Sequence, residues 1–178
     1  MKRTKIHVTK KSEKLVKKFI VTDQNADSGL LGKWNATVFY VDRKKCWLFT
    51  NGLTKYNVIL TNIKASDLDK IEETFKNTFY TQLVFDGIVT DFERIDTIVG
   101  HLDFLKTDND KSTIAHQNQR LYDLDYWKYQ FGSLDTMPMK ELTSRMNRSI
   151  IHIGKSRRMA DYTDATSEMK KLLTEQNV

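Results

Sequence analysis

The sequence has one cysteine, Cys46, and one proline, Pro138. A lone cysteine cannot close an internal disulfide, and a reduced, cytoplasmic setting is the simplest reading. The seven glycines are scattered, so none builds the Gly-rich turn that cradles a nucleotide phosphate. There is no Gly/Ser-rich linker and no internal repeat, and residues 1–178 read as one domain. The histidines are His7, His101, His116 and His152, and no two have His-x-x-x-His spacing. Without a cysteine partner this excludes a zinc motif, and no cofactor is expected. A G-x-S-x-G nucleophile elbow is also missing. No apolar run approaches the roughly 20 residues that cross a bilayer, so no membrane contact is expected. The first residues are basic, but no apolar core follows them, so they are not read as a secretory signal.

What the chain has in excess is positive charge. The net charge is +6 and the pI about 9.3. In the first eighteen residues Lys2, Arg3, Lys5, Lys10, Lys11, Lys14, Lys17 and Lys18 face one acid, Glu13. A second basic segment holds Arg145, Arg148, Lys155, Arg157 and Arg158, while residues 64–110 are richer in acids. Such asymmetry fits an acidic partner, most often nucleic acid; lysines that only solubilise a small domain are the competing reading.

Hydrophobic periodicity gives the elements. Ile6 and Val8 suggest a short strand over 4–9, and Leu15, Val16 and Phe19 a helix over 11–19. Residues 22–33, with Gly29 and Gly32, read as a loop. Strands are expected at 34–41, 46–50 and 55–61, with Asn51-Gly52 turning between the last two. Trp34, Ala36, Val38 and Tyr40 share one strand face, and Phe39 and Val41 lie on the other. Leu68, Ile71, Phe75, Phe79 and Leu83 then mark an amphipathic helix that Ser66 can cap. A short strand is expected at 101–106. Ile114, Leu121, Leu124 and Trp127 or Phe131 give a helix ending near Gly132. Met139, Leu142 and Met146 give another, and Met169, Leu172 and Leu173 a last one capped by Asp164. The expected class is α+β: a small antiparallel sheet, a β-meander, packed with several helices.

Between the first two long strands lie Asp42, Arg43, Lys44 and Lys45. Neither Gly nor Asn is present to supply positive φ, so the expectation is a three- to five-residue loop rather than a tight type I′ turn. Asp42 is expected to accept backbone hydrogen bonds, with the basic residues pointing to solvent.

The runs Gly32-Lys-Trp-Asn-Ala-Thr37 and Asp42-Arg-Lys-Lys-Cys-Trp-Leu-Phe-Thr-Asn51 resemble the signature of a bacterial family of uncharacterised single domains. That signature is Trp-x-Ala followed by Asp-Arg-x-Lys-Cys-x-Leu-Phe-Thr-Asn. A later family segment is matched more weakly by residues 106–118, where Lys111 and Ala115 depart from the pattern and Ser112 and Asn118 keep it. The resemblance implies one domain of this type and no particular activity.

Two polar clusters are candidate chemistry. Residues 106–118 form a polar loop entering a helix, where Ser112, Lys111 and His116 could hold an anion; a plain N-cap is the alternative. Residues 145–158 place arginines beside serine and asparagine, a set suited to phosphate oxygens. Trp47, Tyr56 and Trp127 are the candidate stacking faces. The leading expectation is a cytosolic interaction module contacting RNA or DNA through Lys10, Lys11, Lys14, Arg148, Lys155, Arg157 and Arg158. One alternative is a metal-independent ribonuclease of a toxin or phage-defence system, with His116 or His152 as acid/base and Arg148 as the cation. The other is a regulator or antitoxin that binds protein alone.

Overall fold

The computed structural model describes residues 2–22, 29–154 and 158–174. Its centre is a five-stranded sheet of β1 (Arg3–Val8), β2 (Lys33–Val41), β3 (Lys44–Asn51), β4 (Asn57–Leu60) and β5 (His101–Leu105), in the order β4-β3-β2-β1-β5. The expected meander is β2-β3-β4, paired antiparallel. It is extended by β1, which runs parallel to both β2 and β5. Local pattern does not reveal this extension, because a parallel pair is made by a crossover far along the chain.

Strand β2 is buried on both faces, which is why it reads as an almost continuous apolar run. On the first face Trp34, Phe49 and Tyr56 meet Phe75 and Phe79 of α2 (Ile71–Phe85). Trp34 lies 5.3 Å, edge-on, from each phenylalanine ring. Helices α3 (Phe92–Val99) and α6 (Ala165–Thr174) complete this layer through Ile95, Met169 and Leu173. On the second face Phe39, Val41, Cys46 and Leu48 meet Leu124 of α4 (Lys111–Phe131) and Leu142 and Met146 of α5 (Met139–Asn147). A small antiparallel pair, β6 (Ile150–His152) with β7 (Tyr162–Asp164), adds Ile151 to the first core. The class is α+β. No helix among the described residues is long and apolar enough to cross a membrane.

Both sheet edges are closed. At β4 the Asn57 N–H donates to Asn147 Oδ1 at 2.8 Å, and Asn147 Nδ2 donates to the Asn57 carbonyl at 3.1 Å. Asn147 thus stands in for a missing strand. At β5 the Val21 N–H bonds the Phe104 carbonyl, and the Leu102 N–H donates to Glu72. Entry into β5 requires glycine: Gly100 has φ 60°, and a Cβ there would overlap the Lys2 carbonyl.

Three expectations need correction. The helix over 11–19 is instead a single turn, α1 (Lys10–Glu13), and a 3-10 turn at Lys17–Phe19. Like charges at Lys10/Lys14 and Lys14/Lys18 oppose a continuous helix, and the bend lets Val16 bury completely. The helix at Ser66 begins as a 3-10 turn, Ala65–Lys70, and Asp67 rather than Ser66 accepts the Lys64 N–H. The β2–β3 turn has only two residues: Val41 pairs with Lys44, and Asp42 and Arg43 have φ of 51° and 62°. This is the positive-φ requirement of a type I′ turn, selected because its twist matches strands paired along their whole length. No side-chain bond of Asp42 is found among the described residues, and Lys44 does not simply face water but donates to Asp135 at 2.7 Å. The Asp164 cap is as expected, accepting the Ser167 N–H at 2.8 Å, and Gly132 ends α4 with φ 79°.

Arg43→Gly should therefore raise stability by up to about 1 kcal/mol, since positive φ strains a non-glycine residue. Phe79→Ala should lower it by roughly 3–5 kcal/mol. Urea denaturation with an unchanged m-value measures both; a destabilising Arg43→Gly would show that the arginine side chain has a structural role.

Candidate nucleic-acid interface

The lysine-rich segment is held by its few non-basic residues. The Thr9 N–H bonds the Ala36 carbonyl, and Ser12 Oγ accepts the Val38 N–H at 3.0 Å. Segment α1 therefore lies along the edge of β2 just beyond the end of β1. With Ser12 and Val16 turned inward, Lys10, Lys11, Lys14 and Lys17 are exposed. None of these four has an ion pair among the described residues.

Lys14 and Lys17 line an open groove of about 360 Å³ with Glu13, Ile20 and Lys106. Lys106 comes from the loop after β5, whose carbonyl bonds the His7 ring. Parallel pairing of β1 with β5 brings these distant segments together. Glu13 is the one acid of the groove, 3.9 Å from Lys106. Beside it, Lys18 pairs with Asp69 at 3.1 Å and covers the Phe19 ring.

The rest of the 106–118 cluster is built differently from the expected anion site. The N-cap of α4 is Asp110, whose carboxylate accepts the Thr113 N–H and hydroxyl. Lys33 Nζ holds Asp108 at 2.5 Å and Asp110 at 3.2 Å. Burial favours the protonated Asp110, but bonds from Thr113 and Lys33 outweigh it and bring the pKa to about 2. Two ionised carboxylates at this helix start repel an anion. Lys55, its pKa lowered by burial, donates to Thr113 Oγ1 at 2.8 Å and the Gly52 carbonyl at 2.9 Å. This cluster fastens the start of α4 to the sheet; of its residues only Lys106 reaches the groove.

His116 sits on α4 with Nε2 sealed from solvent and without a hydrogen-bond partner. Burial, with Arg120 and Lys55 adding repulsion, lowers its pKa to about 4. His152 lies on the other side of the fold, exposed at the end of β6, its ring edge-to-face with Tyr162 at 5.3 Å. Arg148 is exposed at the end of α5, and Arg158 is exposed just before β7. Lys155 and Arg157 lie outside the described residues. Helix α5 packs on β4, whereas the groove lies by β1 and β5. Those two edges are four strand spacings apart, roughly 19 Å at about 4.8 Å each. Arg148 and Arg158 thus do not line the groove of Lys14, Lys17 and Lys106.

The expected stacking residues are also displaced. Trp47 and Tyr56 are fully buried in the first core, and Trp127 is half-buried against the second. Exposed aromatics lie elsewhere, among them Tyr162 beside His152, and Tyr122, Tyr126 and Tyr129 on α4. The α4 set was legible, because these tyrosines fall off the apolar row of Leu121 and Leu124. Among the described residues no group of three or more His, Cys, Asp or Glu side chains is gathered to hold a metal ion. Cys46 is buried, and desolvation raises its thiol pKa, the inert condition.

A family model, the domain of unknown function DUF6933, matches residues 5–166, and the chain belongs to that family. No curated protein and no solved structure matches the chain.

The lowered His116 pKa has a consequence in solution. Folded His116 is neutral and the unfolded residue titrates near 6.5, so the unfolded chain binds more protons between pH 6.5 and about 4. The stability of this neutral state is complete above 6.5 and declines as pH falls towards 4. His116→Asn should flatten that decline in urea midpoints taken at about pH 7 and about pH 4.5. An unchanged decline would assign it to other groups.

Proposed function

We propose that this chain is a cytosolic nucleic-acid-binding module that contacts the phosphate backbone through Lys10, Lys11, Lys14, Lys17 and Lys106. The observation that carries this reading is the groove where Lys14, Lys17 and Lys106 meet, with Glu13 its one acid. Lysine is a compact, flexible point charge that meets a phosphate in many geometries. Such contacts release condensed counterions and give affinity without base readout. Within the ribonuclease alternative, His116 is the weaker candidate, because a general base must titrate near working pH and burial holds its pKa at about 4; His152 with Arg148 is the remaining pair for that reading.

A second reading has its own support. At the corner between α2 and α3, Val84, Phe85 and Val89 are half to almost fully exposed. Exposed apolar side chains close together in the chain suit a protein partner.

The two readings separate on salt. Log affinity for a mixed-sequence oligonucleotide should fall linearly with log salt. The combined change Lys14→Gln, Lys17→Gln and Lys106→Gln should reduce that slope by somewhat less than one unit per lysine. Arg148→Gln with Arg158→Gln, at the far edge, should change it little. No binding by the wild-type chain at low salt would reject the nucleic-acid reading and leave the apolar corner as the surface to pursue.

A further inference from the structure

The outer face of α4 carries a feature that backbone binding does not use. Tyr122, Tyr126 and Tyr129 repeat at i, i+4 and i+7, and they are 72%, 66% and 90% exposed. Residues at this spacing form one row along a helix. Tyrosine usually buries its ring and wets only its hydroxyl, so three rings held out in a row are unusual for a surface with no task. The row itself is uncharged. The neighbouring acids are compensated, Asp123 by Arg120 at 3.1 Å and Asp125 by Lys128.

The row is level with the lysines along β2. Gln117 Nε2 donates to the Asn35 carbonyl at 3.0 Å and Lys128 Nζ to the Tyr40 carbonyl at 3.2 Å. Eleven helical residues at about 1.5 Å and five strand residues at about 3.3 Å span the same length, so α4 runs along β2 in the same direction. Segment α1 is bonded to β2 at Ala36 and Val38, between those two anchor points. That puts the lysines level with the turn of α4 that carries Tyr122. A shallow groove of about 330 Å³ at Tyr122 is lined by Asn118, Leu121, Tyr122 and Asp125.

We infer that the tyrosine row is a stacking platform and that the partner is single-stranded nucleic acid, its phosphates on the α1 lysines and its bases on the rings of Tyr122, Tyr126 and Tyr129. This rests on the backbone-binding reading and adds the strand type to it. Lysines alone hold any polyanion. Aromatic faces reward only bases free to leave their neighbours, which a duplex does not offer, and they do so whatever the sequence.

The test uses a fluorescein-labelled mixed-sequence 12-mer, DNA and RNA, as single strand and as duplex, with the whole chain. The wild type should bind the single strand at least about tenfold more tightly than the duplex. The combined change Tyr122→Ala, Tyr126→Ala and Tyr129→Ala should weaken single-strand binding by at least about tenfold and abolish the preference, with the salt slope unchanged. Replacing the same three by Phe, which keeps the rings, should retain both. Equal binding of duplex and single strand, or a triple-alanine variant equal to wild type, overturns the platform while a steep salt slope leaves the backbone reading standing. A triple-alanine variant that alters sedimentation but not binding overturns it in favour of self-association. No binding by the wild type at low salt overturns both.

Discussion

The structure depends on a sheet whose central strands are covered on both faces. Strand β2 is buried on both faces, and its neighbour β3 shares them. The aromatic cluster around Trp34 fills one side and the aliphatic layer beneath α4 the other. Each edge is occupied as well, by Asn147 at β4 and by the Val21 backbone at β5. Unpaired strand edges are the usual route to unwanted pairing, and closing them also removes the simplest way of adding a peptide strand. What remains for contact with a partner is the outside of helices and the loops. The lysine groove and the tyrosine row are both of that kind.

Closure at β4 relies on a buried polar network. Asn147 bonds Asn57 at both its backbone N–H and carbonyl. It also lies 3.4 Å from Asp86, which accepts the Tyr56 hydroxyl at 2.5 Å and the Gln82 amide at 3.3 Å. Burial, then the Asp86 charge, pushes the Tyr56 pKa well up, so its proton stays on the phenol. A network like this specifies position more than it adds stability: satisfied, it fixes α5 against β4 in one register, whereas removing a single member strands buried partners. Because Arg148 ends α5, the network also fixes this arginine at the β4 edge, away from the groove.

The sequence showed most of what depends on local periodicity. The α2 stripe of Phe75, Phe79 and Leu83 is buried, and the two faces of β2 divide as its alternation implies. It misled where tertiary structure overrides local preference. Asp42 and Arg43 accept positive φ because long flanking strands impose a tight turn. Lysines four residues apart break a helix that spacing alone would draw. Trp47 and Tyr56 are core residues rather than stacking faces, since alternation does not say which face a helix covers. The groove itself was not legible: Lys17 and Lys106 meet only through the parallel pairing of β1 with β5, which no local pattern encodes.

The way the chain treats its lysines separates structural from unassigned charge. Lys33 bridges Asp108 and Asp110, Lys76 bridges Glu72 and Asp96, and Lys44 holds Asp135. For Lys33 and Lys76 burial works against the charge, and the carboxylate partners outweigh it and raise the pKa. Lysines that hold this fold together are therefore paired and partly buried. Lys10, Lys11, Lys14 and Lys17 are not, and they crowd a segment too short to gain helical stability from them. Like charges four apart cost a few tenths of a kcal/mol per pair, and among the described residues no ion pair of these lysines offsets that cost. The segment is nevertheless fixed, by Ser12 on β2 and Val16 in the core, so its cations are displayed at a constant place rather than on a loose tail. Among the described residues this displayed and positionally fixed set of lysines has no ion pair, and Glu13 is the one acid of their groove. On the proposed reading, the phosphates of a nucleic-acid backbone would supply the anions that these lysines meet.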